Sequence, residues 1–446
     1  MRTNVPAVNR NRTHGGARAE AGGNPEKELL RTVVNCLLFE GTFYEGGDSI
    51  ANRIANLVPK CKPEFVQWLA ITARKDYNLR HAPLWLAVQA IIHGKGNADM
   101  LAQVVSRADE LAEALSMYWK ANGGKKPLSH QLKKGLAAAF HKFDAYQFGK
   151  YNRDNEVKLR DVMFLTHPRP IGKEQEALFK QIADNTLPIP DTWEVALSSG
   201  ADKKATWERL ISEKKLGGLA TLRNLRNMSE AGVRRTTISE AIATTRFRGV
   251  LPFQFLAASR QAPGLETEIE EAMLRGLEGA ERLPGRTMLL VDVSGSMDDV
   301  LSKKGTLTRL DAAAAMAVLC REVCEDVGVF TFSAACAQVP ARRGMALVDA
   351  IHASQPHRAT YLGAALRALH ENKYLGAGVD RLIVITDEQA HDELPSGPLA
   401  KACYMVNVAP YEHGLEGGKA WTRINGWSDR LVDWIRVVEK GGEHGD

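Results

Sequence analysis

The chain has 446 residues, of which 44% are hydrophobic and 25% are charged, as in folded proteins of two or three domains and unlike disordered chains. Its sequence has no run of 18 apolar residues, so it predicts no membrane-spanning helix. The first 24 residues lack the apolar stretch of a secretory signal and are rich in Arg, Asn and Gly. We therefore expect a flexible basic arm at residues 1–24 of a cytoplasmic protein.

The net charge of +5 is unevenly distributed along the chain. From Arg286 onward there are 17 Lys and Arg against 21 Asp and Glu, whereas the remainder has 41 against 32. The first part therefore has a net charge of +9 and suits a polyanionic partner, and the second part has −4 and suits a cation.

The cysteines do not predict a zinc site or a disulfide framework. None of the six has zinc-ligand spacing with histidines. We expect all of them to be reduced residues of the core: Cys36, Cys61, Cys320, Cys324, Cys336 and Cys403.

From about Pro25 to Ala280 the sequence predicts one helix after another. Segments such as PEFVQWLAITARKDY and SHQLKKGLAAAFHKF place apolar residues at i, i+3, i+4 and i+7. Pro63 and Ser129 occupy expected helix starts, and Gly94 and Gly123 follow expected helix ends. Some 250 residues of short helices joined by turns predict an α-solenoid of stacked helix pairs.

At Gly285 the pattern changes to alternating strands and helices. The apolar runs RTMLLVDV, GVFTFS, DRLIVITD and CYMVNVAP predict strands, and DAAAAMAVLCREVC, TYLGAALRALHENK and SDRLVDWIRVVEK predict helices. Strands that are apolar on both faces and alternate with helices predict a doubly wound parallel sheet. The predicted organisation is an arm at 1–24, a helical module at 25–283 and an α/β domain at 284–446.

Polar oxygen ligands follow two of the predicted strands. Asp292, Ser294 and Ser296 follow the first strand, Asp387 follows a later one, and Thr360 opens the helix between them. Because parallel strands end at one edge of the sheet, these side chains are expected to converge there. Carboxylates and hydroxyls suit a hard cation, so we expect Mg²⁺, with Mn²⁺ and Ca²⁺ as alternatives.

Taken alone, Asp-x-Ser-x-Ser is often only a loop with a helix cap. Together with Thr360 and Asp387, however, it resembles the metal-ion-dependent adhesion site of the von Willebrand factor A family, and all five positions match. That resemblance implies an open metal position that an acidic group of another molecule completes. We expect the neighbouring acids to be solvated loop residues: Asp298, Asp299, Glu388, Asp392 and Glu393.

The segment from Lys120 to Lys173 is strongly basic, with twelve Lys and Arg against four Asp and Glu. A positive surface favours phosphate contacts through counterion release, and the interspersed aromatic residues can stack on unpaired bases. A solvated helix face with core aromatics explains the same composition. Composition alone therefore leaves nucleic-acid binding and a purely structural role as alternatives.

Three further segments resemble the TROVE module of the Ro RNA-binding family: YQFGKYNRDNEVKLRDVMFLTHPRP, WERLISEKKLGGLATLRNLRNM and RGVLPFQFLAAS. In that family a von Willebrand factor A domain follows the helical module, as the pattern predicts here. The resemblance implies HEAT-like helix pairs closed into a ring, which binds single-stranded 3′ ends of misfolded RNA in its hole and small Y RNAs outside. It also makes an exoribonuclease such as polynucleotide phosphorylase a candidate partner.

Carried over by position, Lys150, Arg153 and His167 match the basic stretch with which the family holds RNA, although His167 could instead cap its helix. Arg160 and Arg169 lie beside them in sequence. Lys133, Lys134 and Lys142 are added on charge alone. Arg223 and Arg226 match another basic segment, for which packing is an alternative explanation.

The favoured hypothesis is therefore a monomeric, non-catalytic RNA-binding scaffold with a role in RNA quality control or the stress response. The alternative is a metal-dependent module that recruits acidic peptides without RNA. An enzyme is not favoured, because the sequence contains neither a P-loop nor the motifs H-E-x-x-H and G-x-S-x-G.

Overall fold

The structure is a computed structural model that describes residues 17, 24–35, 47–77, 79–152, 156–198, 202–247, 250, 252–278, 282–301, 306–409, 415, 420–425, 432, 435 and 439. These residues form two compact units. The helical unit contains the described residues from 25 to 215, and the sheet unit contains Ala17, Asn24 and those from Leu216 onward. Within the described ranges, no helix has the length and apolar character needed to cross a membrane.

The helical unit is built from short helices that pack on near neighbours in the chain. They are α1 Pro25–Asn35, α2 Gly47–Leu57, α3 Pro63–Lys75, α4 His81–Ile92, α5 Ala98–Val104, α6 Asp109–Ala121, α7 His130–Phe140, α8 Ala145–Tyr151, α9 Leu159–Thr166, α10 Lys173–Ala183, α11 Trp193–Ser198 and α12 Lys203–Ser212. Helix α3 packs on α4 and α5, α5 on α7, and α7 on α9. This near-neighbour packing is what stacked helix pairs require, whereas ring closure stays a prediction.

Local chemistry explains where these helices begin and end. Pro63 is the first residue of α3, and the Ser129 hydroxyl accepts a hydrogen bond from the Leu132 amide at the start of α7. Gly94 and Gly123 follow α4 and α6 with φ values of 67° and 72°. Such left-handed conformations favour glycine after a helix end, so the predicted helix starts and ends at these four residues are confirmed.

The sheet unit begins with four helices and continues as an α/β domain. The helices are α13 Gly218–Glu230, α14 Arg235–Thr244, α15 Pro252–Gln261 and α16 Glu266–Leu277. The strands are β1 Leu283–Asp292, β2 Cys324–Phe332, β3 Cys336–Gln338, β4 Arg381–Thr386, β5 Ala402–Asn407 and β6 Trp421–Asn425. Between strands lie α17 Arg309–Val323, α18 Gly344–His352 and α19 Leu362–Glu371.

The strand order is β3-β2-β1-β4-β5-β6, and every pair is parallel except β2 with β3. The predicted parallel sheet is therefore confirmed. Because the chain moves to one side of β1 with β2 and to the other side with β4, the topology reverses between β1 and β4. In such sheets this position opens a crevice at the carboxyl ends of the strands.

Several details differ from the sequence-based prediction. Strands β3 and β6 and helix α18 were not predicted, because short edge segments have little periodicity. Cys324 begins β2, whereas the pattern placed it in the preceding helix. Thr360 lies two residues before α19 and does not open it.

Helices α15 and α16 pack against α17 and α18 inside the sheet unit. The Arg260 guanidinium of α15 donates two hydrogen bonds to the Asp311 carboxylate, at 2.6 and 2.5 Å. Glu270 of α16 accepts a hydrogen bond of 2.7 Å from the Met345 amide in the first turn of α18. The compact units thus divide between residues 215 and 216, while the boundary at 283/284 marks the change from helix to strand and stays a prediction.

Three other expectations concern residues that the structure describes only in part. Ala17 is buried and donates its amide to the Ala390 carbonyl at 3.2 Å, while the rest of the predicted arm except Asn24 lies outside the described residues. Val432, Ile435 and Glu439 are helical, in agreement with the closing helix, whose other residues are not described. The five described cysteines are free, and Cys36 is outside the described ranges.

An ion pair between buried Arg381 and Glu439 joins that last segment to the sheet, and we predict that removing its cation destabilises the sheet unit. The Arg381 guanidinium binds Glu439 at 2.9 and 2.6 Å and also donates to the Pro284 carbonyl and the Thr287 hydroxyl. Arg381→Met leaves the Pro284 and Thr287 acceptors without their donor, so we expect a loss of about 2 kcal/mol. Hydrogen exchange of the β1 and β4 amides, measured by mass spectrometry, reports this opening free energy.

The matched control is Lys401→Met, because Lys401 pairs with Asp380 but is 68% exposed. A solvated pair of this kind contributes less than about 1 kcal/mol. Equal effects of the two substitutions would contradict a structural role for the buried Arg381 side chain.

Candidate metal centre and nucleic-acid surface

The first predicted metal ligand, Asp292, ends β1 and is completely buried. One carboxylate oxygen accepts a hydrogen bond of 2.9 Å from the Ser294 amide, and the other accepts one of 2.6 Å from the Thr386 hydroxyl. Thr386 ends β4, the strand beside β1. The carboxylate is thereby fixed at the crevice between the two strands.

The second predicted carboxylate, Asp387, follows β4 and is also completely buried. One of its oxygens accepts a hydrogen bond of 3.1 Å from the Gln389 amide. Its Oδ2 atom is buried and, among the described residues, has no hydrogen-bond partner. A buried carboxylate oxygen that accepts no hydrogen bond is costly for the protein and is suited to binding a cation.

Thr360, which is 3% exposed, lies in a loop that is tied to the same edge. The Ser333 hydroxyl, just beyond β2, donates to the Ala359 carbonyl and accepts from the Arg358 amide. The Gly295 amide donates to the Arg358 carbonyl at 3.0 Å, which joins this loop to the Asp-x-Ser-x-Ser segment. The structure therefore anchors the segments that carry all five predicted ligands at one edge of the sheet.

Burial changes the protonation of the two carboxylates. Loss of hydration, together with the charge of Asp387, raises the pKa of Asp292 to about 7. Burial also raises the pKa of Asp387 above its ordinary value. The charged forms of both carboxylates are thus unfavourable in this buried position, and a nearby cation would stabilise them.

The donor set fits a hard divalent ion. Two carboxylates are combined with hydroxyls, and the Ser294 and Ser296 hydroxyl oxygens lie 3.4 Å apart. In the described part of the chain, no group of three or more His, Cys, Asp and Glu could hold a metal. The candidate site therefore differs from zinc sites and from carboxylate-rich two-metal sites, and its hydroxyl-rich shell suits Mg²⁺, Mn²⁺ or Ca²⁺.

The acids around the site do not all behave as expected. Glu388 is fully buried, so its interpretation as a solvated loop acid is wrong; its carboxylate lies 3.7 Å from the Arg423 guanidinium. Asp392 accepts hydrogen bonds from the Gly363 and Ala364 amides, and so it caps the start of α19. Asp298 is half exposed and binds the His357 imidazole at 2.8 Å.

Sequence reasoning also missed two residues at the start of α17. The Arg309 guanidinium is 4% exposed and lies 3.9 Å from the unpaired Oδ2 of Asp387. Asp311 and Thr308 form a capping box at the helix start, while Asp311 also binds Arg260 and His352. The T-x-x-D spacing at residues 308–311 was a visible signal for the cap, but not for these partners.

Part of the predicted RNA surface is a group of exposed side chains on and after α9. Arg160, His167 and Arg169 are exposed, and the Arg160 guanidinium lies 5.4 Å from the centre of the Phe164 ring. Phe164 is itself 50% exposed. We call Arg160, Phe164, His167 and Arg169 the α9 surface; it presents cations beside an aromatic face that is open to solvent.

His167 also has a structural explanation. It is the C-cap of α9 and has a left-handed backbone with φ of 50°. The alternative that His167 caps its helix is therefore confirmed for the backbone. Its side chain is exposed, and a contact between this side chain and RNA stays a prediction.

The other predicted RNA contacts have different environments. Lys134 is exposed on α7 and Lys133 is half-buried there, and the Lys150 ammonium lies 5.6 Å from the centre of the Tyr151 ring. Lys142 donates hydrogen bonds to the Ala102 and Val105 carbonyls at the end of α5, and burial lowers its pKa. The Lys142 ammonium therefore connects its segment to the end of α5 within the fold. Arg153 lies outside the described residues.

Comparison with known proteins gives one family-model match and one solved structure with a similar fold. Residues 183–280 match the family model of the TROVE domain, and no curated protein sequence matches the chain. The crystal structure of the Ro (RSR) protein of Deinococcus radiodurans has a TM-score of 0.61 at 17% identity, covering 94% of this chain and 100% of that chain. An aerotolerance-related membrane protein of Bacteroides fragilis, at 18% identity over 31% of this chain and 77% of its own, has a TM-score of 0.21, too low to support an inference.

The fold thus defines a mixed protein in which helices precede a parallel α/β domain. The TROVE match supports the predicted resemblance over residues 183–280, and the fold of the chain is similar to that of the Deinococcus radiodurans Ro protein. The matched segment begins after the α9 surface, so the individual RNA contacts there remain predictions.

We predict that the Asp311 carboxylate stabilises the sheet unit in a pH-dependent manner. Although burial alone would raise it, the contact with the His352 imidazole and hydrogen bonds from Arg260 and the Thr308 amide hold the pKa of Asp311 well below its ordinary value. Because the folded protein binds this proton less tightly than the unfolded chain, the stabilisation is complete above about pH 4 and is lost as the pH falls further. Asp311→Asn should therefore be less stable than the wild type at pH 7, and the difference should shrink below pH 4.

The measurement is urea unfolding of both proteins between pH 7 and pH 3. A stability difference that stays constant over this range would contradict the assignment, because it would reflect packing and not charge.

Proposed function

We propose that this chain is an RNA-binding protein that captures single-stranded RNA ends and carries a separate divalent metal centre in its α/β domain. The observation that supports RNA binding most directly is the α9 surface, in a protein with a TROVE segment and a Ro fold. There, three basic side chains accompany an aromatic ring that is 50% exposed.

The chemistry of this surface favours unpaired RNA. Arg160 and Arg169 suit phosphate oxygens, and Phe164 offers a face on which an unstacked base contributes about 1–3 kcal/mol. Bases inside a duplex cannot reach such a face, because they are already stacked and paired. Binding is therefore expected to tolerate sequence changes but to favour a single-stranded 3′ tail over a blunt end.

In the metal centre, Asp292 and Asp387 would supply charge, and Ser294, Ser296 and Thr360 would supply neutral oxygens. A bound Mg²⁺ would provide an open position for an acidic group of a partner. Neutralising the two buried carboxylates would also stabilise the edge between β1 and β4. The support for this part is the unpaired, buried Oδ2 of Asp387.

Further expectations rest on the resemblance alone. They are closure of the helices into a ring, binding of small Y-type RNAs, a monomeric state, and delivery of RNA to an exoribonuclease. Recruitment of acidic peptides without RNA remains the alternative function, and RNA titrations at several salt concentrations distinguish the two.

We predict that the double substitution Arg160→Gln and Arg169→Gln weakens binding of a hairpin RNA with a single-stranded 3′ tail by about tenfold or more. The loss of two phosphate contacts to a single strand should also lower the salt dependence of the affinity by about 1.4 in log–log slope. Fluorescence anisotropy across a salt series measures both quantities, beside the same hairpin with a blunt end.

The matched control is Lys203→Gln with Lys204→Gln, which removes the same charge from exposed positions of α12 in the same unit. It should change the affinity by less than about threefold, because distant exposed charges are screened. If both double variants weaken binding equally, the α9 surface is not the contact. If the wild type binds neither RNA at low salt, the chain is not an RNA-binding protein of this kind.

We also predict that Asp292→Ala abolishes divalent metal binding and changes RNA affinity by less than about threefold, because the α9 surface and Asp292 belong to different compact units. Isothermal titration with Mg²⁺ and Mn²⁺ reports the first effect and RNA anisotropy the second. Circular dichroism shows whether the variant is folded. Equal loss of both activities in a folded variant would contradict the separation of the two functions.

A further inference from the structure

The metal centre already contains a positive charge from the protein itself. Arg309, the first residue of α17, places its guanidinium 3.9 Å from Asp387 Oδ2 and 3.6 Å from an Asp299 carboxylate oxygen. The same side chain donates a hydrogen bond of 3.1 Å to the Ser296 carbonyl. Arg309 thus lies against two of the residues expected to hold the metal.

The position of this guanidinium is fixed by its surroundings. Its side chain is 4% exposed, and its backbone amide donates to the Asp299 carbonyl at 2.9 Å. Thr308 and Asp311 cap the helix at the residues on either side. The backbone of Arg309 is therefore fixed at the start of α17, and its side chain is enclosed beside Ser296, Asp299 and Asp387.

The distance to Asp387 is also informative. At 3.9 Å the guanidinium is too far away for a hydrogen bond, so it leaves the Oδ2 lone pairs unused while lowering the local negative potential. A divalent ion that binds this oxygen must approach the same guanidinium. The attraction of the carboxylates for the ion is consequently opposed by repulsion from a charge that is held in place.

We propose that Arg309 is a built-in counter-ion that stabilises the metal-free site and weakens its affinity for divalent cations. This inference rests on the proposed metal centre and adds a control on its loading. The site then fills only when the metal concentration is high or when a partner's acidic group adds negative charge. Metal binding and partner binding become mutually dependent as a result.

The opposing role for the same residue is a positioning one, in which Arg309 holds Ser296 and Asp387 in the geometry that the metal needs. The two roles predict opposite effects of removing the charge. If Arg309 only positions ligands, Arg309→Met weakens metal binding. If it acts as a counter-ion, Arg309→Met strengthens metal binding and destabilises the metal-free protein.

The test is a Mn²⁺ titration of the full chain, in which electron paramagnetic resonance measures free Mn²⁺ and Mg²⁺ serves as the competitor. We expect Arg309→Met to bind Mn²⁺ about tenfold or more tightly than the wild type. We also expect its melting temperature in EDTA to fall below that of the wild type and to rise by a larger increment when Mn²⁺ is added. Arg309→Lys, which keeps the charge, should stay closer to the wild type in both measurements.

Two further variants make the result specific. Arg343→Met removes the same charge from an exposed residue that pairs with Glu322 in the same unit, and should leave Mn²⁺ affinity unchanged within about twofold. Asp387→Asn should abolish binding with or without Arg309. If Arg309→Met does not fold, Arg309→Gln replaces it, since the amide still donates to the Ser296 carbonyl.

The outcomes separate the two proposals. Mn²⁺ binding by the wild type, with equal or weaker binding by the neutral Arg309 variant, overturns the counter-ion role and leaves the metal centre intact. An equal gain in Mn²⁺ affinity in Arg309→Met and Arg343→Met also overturns the counter-ion role, because only the net charge of the protein would then matter. No Mn²⁺ binding by any variant overturns the metal centre itself, and the counter-ion role with it.

Discussion

Burial of two carboxylates side by side is the constraint on which the sheet unit depends. Asp292 and Asp387 have no exposed surface, although an isolated buried charge costs several kcal/mol. The fold offsets this cost with directed donors: the amides of Ser294 and Gln389 and the hydroxyl of Thr386. No donor among the described residues reaches Asp387 Oδ2, and there the protein depends on a nearby cation.

The strand order explains why these acids meet. In the order β3-β2-β1-β4-β5-β6, β1 and β4 are neighbours although 88 residues separate the end of the first from the start of the second. The carboxyl ends of β1 and β4 therefore meet at the point where the strand order reverses: β2 and β3 lie on one side of it, and β5 and β6 on the other. Any site assembled here combines distant parts of the sequence, and it forms only when the parallel sheet has formed.

Helix α17 connects the metal centre to the preceding helices. Its first residue, Arg309, faces Asp387, and two residues later Asp311 receives Arg260 from α15. A shift of α15 would strain the Asp311 contact and, through the same helical turn, the position of Arg309. This arrangement gives the TROVE segment a physical route to the metal centre within one compact unit.

The sequence predicted those features that depend on local pattern. Apolar strands ending in Asp292 and before Asp387 were recognisable, because strand periodicity and the positions of polar residues are local signals. Helix caps at Ser129 and glycine stops at Gly94 and Gly123 followed from the same kind of chemistry. The parallel sheet could be deduced because α/β alternation admits few arrangements.

Features that depend on distant contacts could not be predicted. Glu388 looked like a solvated acid because its sequence neighbours are polar, yet tertiary packing buries it beside Arg423. Arg309 and Lys142 gave no signal beyond their charge, and both have specific partners inside the fold. Division of the chain near residue 215 also escaped pattern analysis, since the contacts that bind α15 to α17 join residues 51 positions apart.

The two proposed functions use electrostatics in different ways, and this difference follows from burial. Charges on the α9 surface are exposed, so salt screens their attraction for RNA over about 8–10 Å at physiological ionic strength. Charges at the metal centre are buried, so salt screens them weakly, and their balance is set by Arg309 and by the bound ion. Ionic strength therefore tunes the first function, and divalent metal concentration tunes the second. A protein with both kinds of site can release RNA without emptying its metal centre, and can respond to metal without losing its affinity for RNA.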